Sequence, residues 1–222
     1  MVASRSLAAL ADESGRLAAA LPALTVAQWA APTRCEPWDC AALLAHTSQA
    51  VERLFAMLDA EPPAEATVDA AGYYRPDERF APEIDRVRVE GSMREGRIGG
   101  PALAARFNEM WPEAVRRCEA EGPGRLVTTR HGDPMTLEDF LTTRVVEVAV
   151  HGMDLADAAG IERWTGPAAA EVVTDLLLPV GGLDRLGWDG VGFIAKATGR
   201  DALTGGEREQ VQAAGITWLT LG

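Results

Sequence analysis

Four long stretches of this chain place apolar residues three and four positions apart, and that spacing leaves few folds open. The first carries Leu7, Leu10, Leu17 and Leu21, and the second Leu43, Thr47, Ala50, Leu54 and Leu58. The third carries Leu103, Phe107, Met110, Trp111 and Val115, and the fourth Phe140, Leu141, Val145, Val148, Leu155 and Ala159. Each stripe is one face of a helix that has to be buried against another. Four such helices predict a mostly α fold built on a four-helix bundle, with one long connection, Glu61 to Gly100, between the second and the third.

Local signals place the boundaries. Thr25-Val-Ala-Gln28 has capping-box form, the second helix opens at Asp39, and Pro101 suits the first turn of the third. Arg125 to Arg130 is a β-branched run, His131-Gly-Asp-Pro134 reads as a turn, and Met135 onward returns into the fourth helix with Thr136 as N-cap, so a small hairpin is expected there. The connection is rich in Pro, Gly and charge and is expected to hold a broken helix around Pro82 to Arg94. Its Tyr73, Tyr74, Arg75, Phe80 and Arg86 suit ligand contact and surface cover equally well. Residues 1–160 are thus read as the bundle and 161–222 as a small C-terminal appendage packed on it. The appendage is expected to hold helices at Ala168 to Leu178, at Val191 to Ala197 and after Thr204, and a strand at Ile216 to Leu221.

Composition excludes several function classes. A net charge of −12 argues against nucleic acid and anionic membranes as partners, because both need basic patches. Arg5, Asp12, Glu13 and Arg16 interrupt the Ala/Leu-rich start at helical spacing, so it reads as neither signal peptide nor membrane span, and a cytoplasmic location is expected. The three cysteines, Cys35, Cys40 and Cys118, have no CxxC spacing, which indicates neither a disulfide framework nor a zinc knuckle. Cys40 and Cys118 are expected to pack as small apolar residues.

The candidate chemistry lies on the second and fourth helices. Glu147 and His151 are four apart and share one helix face, and His46 borders the inward stripe of the second helix. Two imidazoles and a carboxylate form a ligand set for a divalent transition metal, and three protein ligands leave a position open. Zinc suits the set best; nickel, iron and manganese also accept mixed nitrogen and oxygen donors. The bland alternative is a buried polar network. Arg144, one turn before Glu147, suits either a substrate carboxylate or an ion pair with Glu or Asp. Asp154, three after His151, suits an acceptor that fixes the imidazole or a contact to a ligand. His131 falls on the turn and is expected to be exposed.

Three segments carry a family resemblance. Thr33-Arg-Cys-Glu-Pro-Trp38 with Leu43-Leu-Ala-His46, the run from Gly132 through Glu147 and His151 to Ala158, and Ala197-Thr-Gly-Arg-Asp-Ala-Leu-Thr204 resemble the mycothiol-dependent maleylpyruvate isomerase family of the DinB-like superfamily. The resemblance implies a helical bundle holding a divalent metal, usually zinc, at the positions of His46, Glu147 and His151. It also implies mycothiol as thiol cofactor and a thiol transferase or isomerase in which a metal-bound thiolate attacks a small electrophile. That isomerase carries a C-terminal α/β domain, whereas here the tail after Gly160 is short. The competing expectation is a metal- and small-molecule-binding protein of the same fold without thiol transfer.

Overall fold

The computed structural model describes residues 4–75, 82–178 and 180–219. Four long helices form the bundle: α1 (Arg5–Ala20), α3 (Cys40–Asp59), α5 (Gly100–Glu119) and α6 (Leu137–Ala159), with a single turn, α2 (Val26–Trp29), between the first two and α4 (Pro82–Gly96) in the long connection. Around the bundle α1 packs on α5 and α6, and α3 packs on the same two, so each stripe read from the sequence meets two neighbours. Leu10, Leu17, Leu43, Leu54, Phe107, Phe140 and Val145 are fully buried at their junction. This burial, rather than helix propensity, stabilises the bundle.

The caps are where the side chains direct them. The Thr25 and Gln28 side chains and backbone N–H groups close a reciprocal box at α2. Asp39 accepts from the N–H of Ala42 at 2.8 Å, and Thr136 accepts from that of Asp139 at 3.0 Å. Antiparallel β1 (Leu126–Thr128) and β2 (Pro134–Thr136) pair Val127 with Met135, and the hairpin runs directly into α6.

After α6, left-handed Gly160 (φ 66°) ends the helix. Then α7 (Pro167–Leu177) packs on α1 and α6, α8 (Gly182–Leu186) follows, and α9 (Gly190–Ala197) packs on α7 and α6. Thr204 caps α10 (Gly205–Ala213) through a second capping box. The expected strand at the end does not form among residues 216–219. A lone strand needs an edge to pair with, and among the described residues this segment instead bonds back to helices, Ile216 N–H to Val211 at 3.2 Å and Leu219 N–H to Leu177 at 2.9 Å, with Trp218 edge-on to Phe193. Residues 220–222 and Phe80 lie outside the described residues. No helix among the described residues is long and apolar enough to cross a membrane.

One buried charge makes stability depend on pH. Glu13 on α1 has no exposed surface. One carboxylate oxygen accepts from the N–H of Gly166 at 2.8 Å, while the other has no hydrogen-bond partner among the described residues. Burial pushes the carboxyl from 4.5 up to about 7, against the Gly166 bond, which lowers it. Between those values the folded chain keeps a proton that the unfolded chain has lost, so stability falls as pH rises through that window. Glu13→Gln keeps an acceptor for Gly166 and removes the charge. It is expected to flatten the pH dependence and to raise stability at about pH 8 by about 2 kcal/mol. Denaturant melts at about pH 5 and about pH 8 check this, and an unchanged difference between the two pH values in the variant contradicts it.

Candidate metal centre

The loop before α3 and the two facing helices build the centre. Residues 31–40 are tied into a tight turn: the Thr33 N–H and hydroxyl both donate to the Trp38 carbonyl, at 3.0 and 2.8 Å, and the Cys40 N–H donates to Ala31 at 3.1 Å. The turn lays the Trp38 ring against His46, 4.6 Å between centroids and stacked at 28°. It also brings the Cys35 thiol 3.3 Å from Asp154 Oδ2 on α6. Capping by Asp39 then sets the phase of α3, and two turns on His46 faces α6.

There His46 meets the pair predicted from its spacing. Glu147 Oε2 lies 3.5 Å from His46 Nε2 and 3.5 Å from His151 Nε2. These separations are long for charge-assisted hydrogen bonds, which run about 2.7–2.9 Å. They match the edge of a tetrahedron, about 3.4 Å, that follows from metal–ligand bonds of about 2.0–2.1 Å. One ligand atom from each residue lies within 4.8 Å of the other two. The His46 side chain is almost fully buried, while those of Glu147 and His151 keep 21 % and 16 % of their surface. The cluster is therefore walled on the α3 side and open on the other, as a site with a free position requires. The donor set and its spacing fit a divalent ion.

A second group, Cys35, His151 and Asp154, is equally compact. Its carboxylate is already committed: Arg200 donates to Asp154 Oδ1 at 2.9 Å and to Oδ2 at 2.7 Å, and His151 Nδ1 lies 3.1 Å from Oδ2. A guanidinium across both oxygens disfavours a cation there, which leaves His46, Glu147 and His151 as the candidate ligand set.

The charges are arranged around this triad. Burial pushes His46 from 6.5 down to about 4, against the pull of Glu147, so its imidazole is neutral with a lone pair to offer. Burial works against the charge of Glu147, yet hydrogen bonds from His151 and His46, backed by the Arg144 charge, hold its carboxyl well below the usual range. Burial also works against a charged His151, but Asp154, Cys35 and Glu147 outweigh it and hold the imidazole well above its ordinary value. The imidazole thus holds its proton more tightly, and a metal binding there would have to displace it. Zinc binding near pH 7 is expected to release about one proton per chain. Affinity is expected to fall as pH falls, because His151 is then harder to deprotonate. Calorimetry in buffers of different ionisation enthalpy measures the release, and a value of zero contradicts it.

Basic residues lie near the triad. Arg144 is fully buried on α6. Among the described residues it donates to the Ala50 carbonyl at 3.4 Å, Thr143 Oγ1 at 3.2 Å and the Tyr73 hydroxyl at 3.3 Å, and lies 4.5 Å over the Phe140 ring. The expected partner carboxylate is not among these contacts; carbonyl, hydroxyl and ring faces serve instead. Burial, reinforced by the charges of Arg130 and Arg144, lowers Arg53 to about 10. Arg88 lies 5.3 Å over the Trp38 ring. His131 is half-buried on the hairpin, its Nε2 bonded by Arg130 at 2.9 Å. Cys40 and Cys118 are buried and their thiols pushed up to about 11 and about 12, chiefly by burial.

Spacing alone found the triad. It did not find Trp38, Cys35, Arg53 or Arg200, which come from a loop, the later turns of α3 and the C-terminal segment. A sequence signal existed for two of these elements, since the Thr33–Trp38 and Ala197–Thr204 segments both carried the family resemblance.

Residues 10–156, which contain all three candidate ligands, match the mycothiol maleylpyruvate isomerase N-terminal domain. The chain belongs to that family. The crystal structure of the mycothiol-dependent maleylpyruvate isomerase aligns with a TM-score of 0.50 at 14 % identity, covering 75 % of this chain and 65 % of the other. A histidine-to-alanine mutant of that isomerase aligns equally well. This family member therefore shares the fold of the isomerase and spans under two thirds of its length. No curated protein matches the chain in sequence.

Proposed function

We propose that this chain is a metal-dependent thiol transferase or isomerase that uses mycothiol and acts on a small electrophile. The observation that carries the reading is the triad, 3.5 Å on two edges and open on one side, inside the segment that matches the family. A free thiol has a pKa near ~8.5 and is mostly protonated at neutral pH. A divalent ion held by His46, Glu147 and His151 supplies the positive charge that favours the thiolate.

The remaining work falls to the chain. Asp154 holds the Nδ1 side of His151, so Nε2 faces the open site. Trp38 shields the His46 face from water. Arg53 and Arg144, with no ion pair to a carboxylate among the described residues, favour an anionic electrophile such as an unsaturated carboxylate. Thiolate addition to its activated carbon–carbon double bond forms a C–S bond and leaves a C–C single bond. Protonation of the adduct yields an S-conjugate. Rotation followed by elimination restores the double bond in the other geometry and returns the thiol.

The test is to incubate the zinc-loaded chain with mycothiol and paired cis-unsaturated electrophiles, one a carboxylate and one its neutral ester. The expected result is an S-conjugate or a trans product, formed faster from the carboxylate and only with metal present. Metal and thiol both bound with neither product formed would instead assign a binding protein of the same fold.

A further inference from the structure

We propose that Arg200 is a positioning residue for the metal centre, acting through Asp154 on His151 and so setting how tightly the centre holds its ion. The proposal rests on the metal reading above and adds to it a residue from the C-terminal segment, outside the family-matched region.

The Asp154 side chain has no exposed surface. A buried carboxylate is costly unless paired and hydrogen-bonded, and Arg200 supplies both through a two-pronged contact, Nε to Oδ1 at 2.9 Å and Nη2 to Oδ2 at 2.7 Å. Such a fork fixes the plane of the carboxylate as well as its charge. With that plane fixed, Oδ2 faces His151 Nδ1 at 3.1 Å. An acceptor held on Nδ1 selects the tautomer and ring orientation that turn Nε2 to the metal. Among the described residues His46 has no such support: its Nδ1 is buried without a hydrogen-bond partner there. Orientation by a second shell is therefore concentrated on His151.

Arg200 is itself fixed by local structure. Gly199 takes a left-handed φ of 70°, a turn open to glycine, just after α9. The N–H groups of Arg200 and Asp201 both donate to the Ala195 carbonyl, at 2.6 and 2.9 Å. Arg34, from the loop before α3, donates to the Gly199 carbonyl at 2.6 Å. Arg163 joins Asp157 on α6, at 2.7 Å, to Asp201, at 3.1 Å. The turn after α9 is thereby clasped from two sides, with the guanidinium aimed at α6. A tether alone needs only these surface contacts; the fork onto a fully buried carboxylate is the part that reaches the metal ligand.

The experiment compares wild type with Arg200→Met, Arg200→Lys, Asp154→Asn and the Arg200→Met/Asp154→Asn pair. Zinc affinity is read by chelator competition, and ligand geometry by the visible absorption of the cobalt(II)-loaded chain. Arg200→Met is expected to weaken zinc binding about 10–100-fold, the usual effect of losing an outer-shell partner, and to alter the cobalt spectrum. Arg200→Lys, which keeps the charge and loses the fork, is expected to fall between wild type and Arg200→Met. The double variant is expected to be no weaker than Asp154→Asn alone. Zinc affinity within about twofold of wild type in Arg200→Met, with an unchanged cobalt spectrum, overturns the proposal while leaving the metal reading intact. Additive losses in the double variant overturn it as well, and this holds for Arg200→Lys combined with Asp154→Asn if Arg200→Met does not fold. A wild-type chain that binds neither ion overturns the metal reading first.

Discussion

His151→Ala is expected to weaken zinc binding by more than about a hundredfold, beyond what loss of a second-shell partner costs, and to abolish thiol addition, while the helical fold persists. His151 is the one residue of the triad that touches both sides of the centre. Its Nε2 faces Glu147 at 3.5 Å and its Nδ1 faces Asp154 at 3.1 Å. Alanine would remove a candidate ligand and, with it, the contact to Asp154. The two carboxylates are not left bare, because Arg200 still forks Asp154 and Arg144 still places positive charge near Glu147. The cost to folding should therefore stay within about 1–3 kcal/mol, the range for a lost buried partner. Metal analysis after dialysis, far-ultraviolet circular dichroism and a mycothiol assay on the same sample separate the two effects. Stoichiometric zinc together with wild-type turnover in the variant contradicts the assignment.

Gly100→Ala is expected to be the most destabilising small substitution in the chain, at about 3 kcal/mol, the upper part of the range for overpacking. Gly100 opens α5, and a Cβ there would lie 1.9 Å from Trp29 Cδ2 and 2.4 Å from Cε3. Trp29 is buried at 5 % exposure and ends α2, which packs between α3 and α6. The ring cannot yield without lifting α2 from α3 and α6, the two helices that carry the candidate ligands. Alanine's better helix propensity returns less than about 1 kcal/mol, so the clash dominates. Gly205→Ala is the control, because Gly205 opens α10 with nothing near its missing Cβ and should be neutral or slightly stabilising. Denaturant midpoints give both values, and a Gly100→Ala midpoint equal to that of the control contradicts the packing account.

Much of this fold was legible in the sequence because its signals are local. The apolar stripes and the caps at Thr25, Asp39, Thr136 and Thr204 act within one or two turns, and each helix begins where its cap predicts. The Glu147/His151 pair was legible for the same reason: four residues on a helix is a fixed geometry. What was not legible depends on long-range packing. Arg200 and Asp154 are 46 residues apart in sequence, and no periodicity joins a glycine turn after α9 to the middle of α6. The fit of Trp29 against Gly100 likewise exists only once α2 and α5 are docked. Arg144 was read as a substrate clamp or the partner of a carboxylate, and among the described residues it is held by a carbonyl, two hydroxyls and aromatic faces. The segment 216–219 had strand character but pairs with neither strand of the hairpin among the described residues.

The central claim is that His46, Glu147 and His151 hold one divalent ion with a position open to a thiol. Loading the chain with cobalt(II) and titrating it with mycothiol tests this most directly. One cobalt per chain should give a visible spectrum of low-symmetry, four-coordinate type. Thiol should then add a sulfur-to-metal charge-transfer band that saturates, and both signals should be missing in His151→Ala. A chain that takes up no cobalt, or a cobalt spectrum that thiol leaves unchanged, would contradict the account.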